Sequence, residues 1–452
     1  MSDAIFNIVQ IGQQADTTTA VPATVLFPVD AGAVIDADRS ARNPDEDYGQ
    51  NASAQPGRGA YGLRGASISL TGDVRAEDFM EILEMHAAGI SGGNATSGSA
   101  GAYVWDYLWD ITSDSKKRYT IEAGAVDTVN DQWRAVGCLC NSLEIGFDAL
   151  TAPGNAPWKF TAGIEALYRE QSALTGGLSA PAPLETFEGH MTSMYEGATG
   201  TAFASLAALT GSLKSFKLNS DLGLTRRAYG GTADYAVGWG QAQRKALTFT
   251  AEVAINNTSK GNIHDVYETA GSSMTERRWR ILTRGSRLTT QNEKQTVTYT
   301  VAATDGTFTL TFEGYTTTAL AHDISNASMV TALEALPSIG AGNVASTGTP
   351  GTNYVIEFKG TLASQPQQMV MGNGALLTGA GTQPATSIAR TQAGGQLKTL
   401  RQDMRVRFNT VNVGNVDGER LYTVEGIVVS DATLGSDGFT SMLNGIATLA
   451  SV

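Results

Sequence analysis

The chain alternates short apolar and polar positions far more often than it shows helical spacing, so strands dominate the predicted elements. A first strand is predicted at Thr24-Val25-Leu26-Phe27-Pro28-Val29. A long polar stretch follows from Asp36 to Gly59, containing Asp45-Glu46-Asp47 and Arg58. The alternation returns in Ala66 to Val74. Two strands joined by so long a loop suggest a loop that serves a function or becomes ordered on assembly. A helix is predicted next, because Phe79, Ile82, Leu83 and His86 share one face, with Gly89 as its C-cap. The Ser/Gly-rich run from Ser91 to Gly101 reads as a flexible connector. Further strands are expected at Tyr103–Ile111, Arg118–Ala123, Val136–Phe147 and Phe160–Leu167.

The second half replays this order. A strand at Ser212–Leu218 leads into a polar, Gly-rich loop from Leu224 to Gln243 that carries Arg226 and Arg227. The return strand is Ala246–Ile255, and a helix follows with Ile263, Val266, Tyr267 and Ala270 on one face. Arg277–Thr283 is the next strand. Leu70-Thr71-Gly72-Asp73-Val74, Phe160-Thr161-Ala162-Gly163-Ile164 and Phe249-Thr250-Ala251-Glu252-Val253 echo one another. Strand, loop, strand, helix, strand used twice implies an internal duplication.

Between Thr296 and Gly395 charges thin out while Thr and Gly rise. Gly306–Phe312 alternates strictly, Glu313-Gly314 makes a turn, and Tyr315–Ala321 returns. A helix with Met329, Leu333 and Leu336 on one face stops at Pro337, and Tyr354–Phe358 and a weak strand near Ser387–Arg390 follow. The earlier style resumes at Met404–Phe408 and Leu421–Val429. The expected fold class is therefore mainly β: β-sandwich domains each flanked by one α-helix, in tandem, with a small inserted β-rich domain. The expected domains are 1–175, then 180–295 continued by 396–452, with 296–395 inserted at a loop tip.

Composition narrows the functions. The 452 residues include 51 Gly and only 12 Pro, and 42% are hydrophobic, as expected for a globular chain rich in turns. A formal charge of -13 argues against a nucleic-acid binder, whose affinity rests on Lys and Arg displacing counterions. Cys138 and Cys140 are the only cysteines, and with four scattered histidines they suggest neither a disulfide framework nor a metal site. Met1 to Phe6 lacks the basic and apolar regions of a signal peptide, and no apolar run is long enough to span a bilayer. The expectation is a protein made in a cytoplasm, without membrane contact or cofactor.

Enzyme motifs for nucleotide phosphates, acyl transfer or zinc hydrolysis are missing from the sequence. Gly89–Gly93 follows a helix, whereas a phosphate cradle must precede one. Asp106, Asp110 and Asp114 beside Trp105 and Trp109 could be a carboxylate pair with aromatic platforms, but read better as an interface. Glu276-Arg277-Arg278-Trp279-Arg280 places Arg278 and Arg280 on one strand face. These two, with Arg401, Arg405 and Arg407, are expected to pair with acids within or between subunits.

The stretch GTFTLTFEGYTTTALAHDISNASMVTALEALPSIGAGNV followed by TNYVIEFKG is similar to a module of phage virion structural proteins. The rest resembles, more loosely, phage tail tube proteins of the non-contractile type. That resemblance implies a β-sandwich with one helix, a long loop touching the adjacent ring, and sheets joined between subunits around a DNA-conducting lumen. It makes Asp45, Glu46, Asp47, Arg58, Arg226 and Arg227 candidates for the inter-ring loops, and Arg278, Arg280, Arg405 and Arg407 candidates for contacts between subunits. With two tube domains per chain, three chains would form a pseudo-hexameric ring. The implied location is the virion tail, the implied partners further copies and other tail proteins such as tape measure and terminator, and DNA would pass without specific binding. Other virion roles (a capsid or distal-tail component) and a surface adhesin or carbohydrate-binding protein stand as alternatives.

Overall fold

The computed structural model describes residues 7–15, 19–30, 33–38, 41–42, 60–61, 64–95, 102–109, 116–126, 131–149, 156–180, 185–209, 213–227, 236, 238–241, 247–269, 276–288, 291–392, 394–416, 418–434, 437–444 and 449. The chain is mainly β, with few helices.

The first half starts with β1 (Asn7–Gln14), β2 (Val25–Leu26) and β3 (Asp36–Asp38). A small hairpin of β4 (Ala41–Arg42) and β5 (Ala60–Tyr61) precedes β6 (Gly65–Asp73). Helix α1 (Phe79–His86) leads into β7 (Ala88–Ala95) and β8 (Tyr103–Leu108). Then come β9 (Arg118–Ala125), the long β10 (Gln132–Asp148), β11 (Lys159–Ala166) and β12 (Tyr168–Gln171).

The second half opens with β13 (Thr192–Ala198), β14 (Ala207–Ala208) and β15 (Leu213–Asp221). The hairpin of β16 (Leu224–Arg227) and β17 (Gly238–Gln241) precedes β18 (Thr248–Ala254). Short helices α2 (Asn257–Ser259) and α3 (Asp265–Thr269) are joined by a π-helical turn over Lys260–His264, and β19 (Glu276–Arg287) follows. An insertion then carries β20 (Lys294–Tyr299), β21 (Ala303–Phe312), β22 (Tyr315–Thr316), β23 (Leu320–Ala321) and α4 (Asn326–Glu334). Its remaining strands are β24 (Val344–Thr347), β25 (Asn353–Phe358), β26 (Met371–Gly379) and β27 (Thr386–Gln392). The host resumes with the long β28 (Leu397–Val416), β29 (Glu419–Val429) and β30 (Gly438–Asn444).

The two halves repeat one another pairing by pairing. β6 pairs β3 and β11, as β18 pairs β15 and β29. β10 pairs β9, β11 and β12, as β28 pairs β19, β29 and β30. β9 pairs β1, which pairs β2, as β19 pairs β13, which pairs β14. Both long strands carry a one-residue bulge against their neighbour, at Asn141 in β10 and Asn409 in β28. A bulge bends its strand and lets one strand serve two sheets. Each half is thus two sheets that share one long, kinked strand.

Among the described residues two strand pairings join the halves, beside the isolated bridges Arg75–Thr186 and Pro157–Glu188. β10 pairs β15, and β30 pairs β8. The core runs across the same seam, where Trp158 stacks near Phe147 of its own half and Phe216 of the other. Buried residues of both halves form one hydrophobic cluster, while Val297, Phe308, Leu333, Tyr354 and Phe358 centre a separate one in the insertion. The insertion leaves the tip of the β19–β28 hairpin, where Arg287 faces Leu397 and the Leu288 N–H reaches Gln396 O at 2.7 Å. Its neck is closed by the fully buried Glu293, which accepts from Arg390 Nε, Gln295 Nε2 and the Gln367 N–H. A buried carboxylate is tolerable only with donors of this kind around it.

Some sequence expectations are corrected here. The Ser/Gly run expected as a flexible connector begins inside β7, which is held by β8, itself added to the edge of β30. Gly89 therefore lies in a strand; α1 ends at Ala87, which is extended and bonds Leu83 O. Between Tyr354–Phe358 and Ser387–Arg390, where the pattern predicts no strand, the insertion contains β26, paired along β21. The polar loop from Asp36 starts with β3, and its remainder from residue 43 to 59 lies outside the described residues.

Candidate assembly face and sheet edges

Strands β3, β6, β11, β10, β15, β18, β29 and β28 follow one another in a single antiparallel ladder. They belong to one barrel-like network. Among the described residues, however, this ladder has two ends: nothing pairs with the outer side of β3, nor with β28 beyond Arg407 on the side away from β29. Unpaired strand edges are ready templates for another chain.

The ladder has an apolar face and a polar face. In β6 and β11 the even positions Ile68, Leu70, Phe160, Ala162 and Ile164 are buried, and the odd positions Ser67, Ser69, Thr71, Thr161 and Glu165 face outward. Period-two alternation writes this two-sidedness directly into the sequence. Continuing across the register, the outward face carries Asp73, Glu144, Asp148, Glu165, Asp221, Glu252 and Glu425. Its cations are fewer and already matched. Lys159 pairs with Asp30 at 2.7 Å and Asp73 at 3.2 Å, Lys217 with Glu144 at 3.5 Å, and Arg407 with Glu276 at 2.6 Å. Ser, Thr and Asn fill the remaining positions. A concavity lined by Ser142, Glu144, Thr161, Asn219, Asp221 and Thr248 crosses the seam between the halves on this face.

The proposed contact residues divide. Asp45, Glu46, Asp47 and Arg58 lie outside the described residues. Arg227 is exposed on β16, whereas the Arg226 guanidinium turns inward, donating to Ala166 O at 2.8 Å and Ala66 O at 2.7 Å and pairing with Asp38 and Glu165. It ties the halves of one chain together. The β19–β28 arginines pair within the chain. Arg278 is buried in a two-point contact with Asp431, at 2.8 and 2.9 Å, and Arg280 grips Asp403 at 2.6 and 2.8 Å. Arg405 and Arg407 share Glu276. Burial would raise the Glu276 carboxyl, but hydrogen bonds from Arg407 and Arg405 hold it below its ordinary value. Within the chain, then, all four arginines have carboxylate partners.

Other candidates are packed away. Trp105 and Trp109 are buried, and Trp109 Nε1 donates to Thr440 Oγ1 at 2.7 Å across the β8–β30 seam. Cys138 and Cys140 are free and buried, and burial pushes both thiols far up. His86 contacts Cys140 O at 3.0 Å and Ser220 Oγ at 2.8 Å, and burial lowers its pKa to about 4. Among the described residues no His, Cys, Asp and Glu group could hold a metal, and no helix is long and apolar enough to cross a membrane.

The sequence pattern missed the open edges, because an edge is defined by which neighbour is missing and not by the strand itself. Fold and site together define a duplicated β protein that presents a polar, acid-rich sheet face between two edges left unpaired among the described residues. No protein-family model matches the chain, and no curated protein matches it. Among solved structures it is similar to a chain from Mycobacterium phage Patience, with 19% identity over 47% of this chain and 77% of that one and a TM-score of 0.17. A likeness that loose carries no argument about fold or function.

Proposed function

We propose that this chain is a structural subunit of a non-contractile phage tail tube, with copies joined side by side into rings that stack around a DNA-conducting lumen. The observation that carries this reading is the two-sided ladder: continuous across both halves, open at both ends, apolar behind and polar with excess carboxylate in front. Joining the ends of successive copies removes every edge of the sheet, which a closed barrel does and a free monomer cannot. Because each chain supplies the same strand set twice, three chains complete a ring with pseudo-sixfold symmetry.

The polar face then lines the bore. Carboxylates repel DNA phosphates over roughly the 8 Å Debye length of physiological salt, and the matched lysines offer few free cations to hold a passing duplex. In this arrangement the chain needs no catalytic group, metal or cofactor. Leaving from a hairpin tip of the second sheet, the insertion belongs on the exterior as a decoration. Ring ends would meet other tail proteins such as a tape measure and a terminator. Negative-stain microscopy of concentrated protein tests the reading: tubes or rings are expected, whereas closed shells would assign it to a capsid and persistent monomers would overturn assembly altogether.

A further inference from the structure

We infer that the edge of β28 from Asn409 to Asn415 pairs with Val34 to Asp38 of a second copy in the register that β10 uses on β15, with Asn409 and Gly414 fitted to receive it. The inference rests on the reading that copies join side by side, and it adds which edges meet, in what register, and which residues position them.

The internal seam is the template. Asn141-Ser142-Leu143-Glu144-Ile145-Gly146 in β10 matches Asn409-Thr410-Val411-Asn412-Val413-Gly414 in β28, residue for residue from the shared bulge. In β10 every feature of this segment is used. The Asn141 side chain accepts the Leu224 N–H at 2.8 Å, and its carbonyl accepts the Leu222 N–H at 2.8 Å. Ile145 is 0% exposed opposite Leu218. Gly146 is obligatory, because a Cβ there would lie 2.2 Å from Phe216 O on β15.

Among the described residues no strand covers the matching segment of β28 on that side, and the Asn409 carbonyl accepts only from the Tyr267 hydroxyl, at 3.3 Å. Val413, the counterpart of Ile145, is 49% exposed. Among the described residues a Cβ on Gly414 would meet only Thr423 Oγ1, at 3.8 Å, so none of them requires a glycine there. Asn409 is exposed. The segment is shaped for a strand that the described residues of one copy do not supply.

The facing strand follows from the same equivalence. Asp36 lies opposite Ser67 as Asn219 lies opposite Thr248, so β3 stands where β15 stands. The β4 hairpin starts three residues after Asp38, just as β16 starts three residues after Asp221. Transferring the register places Thr410 against Asp38, Asn412 against Asp36 and Gly414 against Val34, and brings the Ala41 N–H to the Asn409 side chain. Val34 is 61% exposed and, like Lys217 opposite Gly146, needs a residue without a side chain across from it. Each polar pair sets one carboxylate against a neutral group, as Asp221–Ser142 and Glu144–Asn219 do in the seam.

Paired cysteines test the register. Directly opposed residues in an antiparallel ladder have Cα atoms about 5 Å apart, within disulfide range. Full-length Asp36→Cys/Asn412→Cys protein should convert under mild oxidation into disulfide-linked multimers ending at a closed trimer, while each single variant stays uncrosslinked. Asp38→Cys/Asn412→Cys, one pair out of register, should crosslink at least tenfold less. Gly414→Val should abolish assembly and leave the melting temperature of the unassembled chain unchanged; Gly146→Val should prevent folding. If wild-type protein forms tubes but the in-register pair does not crosslink, or Gly414→Val assembles like wild type, the register is wrong while the tube reading stands. If wild-type protein never leaves the monomer, both fail.

Discussion

Ile145 and Val413 occupy the same position in two copies of one strand, yet the first is fully buried and the second half exposed. The contrast extends outward. Every residue of α1 is buried, while α2 and α3 bury little beyond Ser259, with Ile263 buried in the turn between them. Around α1 the chain adds β7 and β8, and β8 crosses to β30 and locks the seam. Among the described residues no comparable arm follows α3 before β19. A duplicated sequence thus gives one junction completed in folding and one left for assembly, and the difference lies in what surrounds the strand.

The largest expected effect lies at the completed junction. Lys398 of the second half is buried against Glu77 of the first and Glu185, at 2.7 Å from the latter. Lys398→Ala would leave a buried carboxylate without its cation and should cost about 3–5 kcal/mol in chemical denaturation of the unassembled chain. A loss under 1 kcal/mol would mean that the seam is not held there. Next, Ile145→Ala should cost roughly 2–5 kcal/mol as a core truncation. Val413→Ala should stay within about 0.5 kcal/mol until copies assemble. Equal costs in the monomer would erase the contrast.

The buried His86 gives the seam a pH dependence. Its folded pKa, about 4, lies below the ordinary value of 6.5, so the unfolded chain takes up the proton first. Its contribution is complete above pH 6.5 and is lost as the pH falls toward 4, and roughly 2 kcal/mol should go between pH 7 and 5. His86→Gln should flatten that part of the stability curve. The smallest effect separates the two bulges. Asn141→Ala should cost about 1 kcal/mol for its lost backbone bond, and Asn409→Ala about nothing in the unassembled chain. A reversed order would break the equivalence of β10 and β28.

Much of this architecture is legible in the sequence. Alternation in Ala66–Val74 and Phe160–Leu167, and the Phe79–His86 stripe, give β6, β11 and α1 almost at their observed bounds. The twice-used order is matched by the repeated pairings. The short echoes are a poorer guide. β6 and β18 are true counterparts, but the register matches Phe249 to Ile68, two residues from the alignment the echo suggests. The echo in β11 belongs to a neighbour of β6 in the sheet, because β11 corresponds to β29. β7 and β26, rich in Gly and small residues, show no alternation and exist because β8 and β21 offer them edges. The arginines of β19 and β28 could be placed on strand faces but not assigned partners, since Asp403 and Asp431 lie far away in sequence.

Cryo-electron microscopy of the assembled protein tests the central claim most directly. The expected map is a ring of three chains with the β3–β6–β11–β10–β15–β18–β29–β28 ladder continuous around the bore, Val413 buried against the next copy, and carboxylates outnumbering cations on the inner wall. A ring that leaves the β28 edge open, or a bore lined by basic residues, would contradict it.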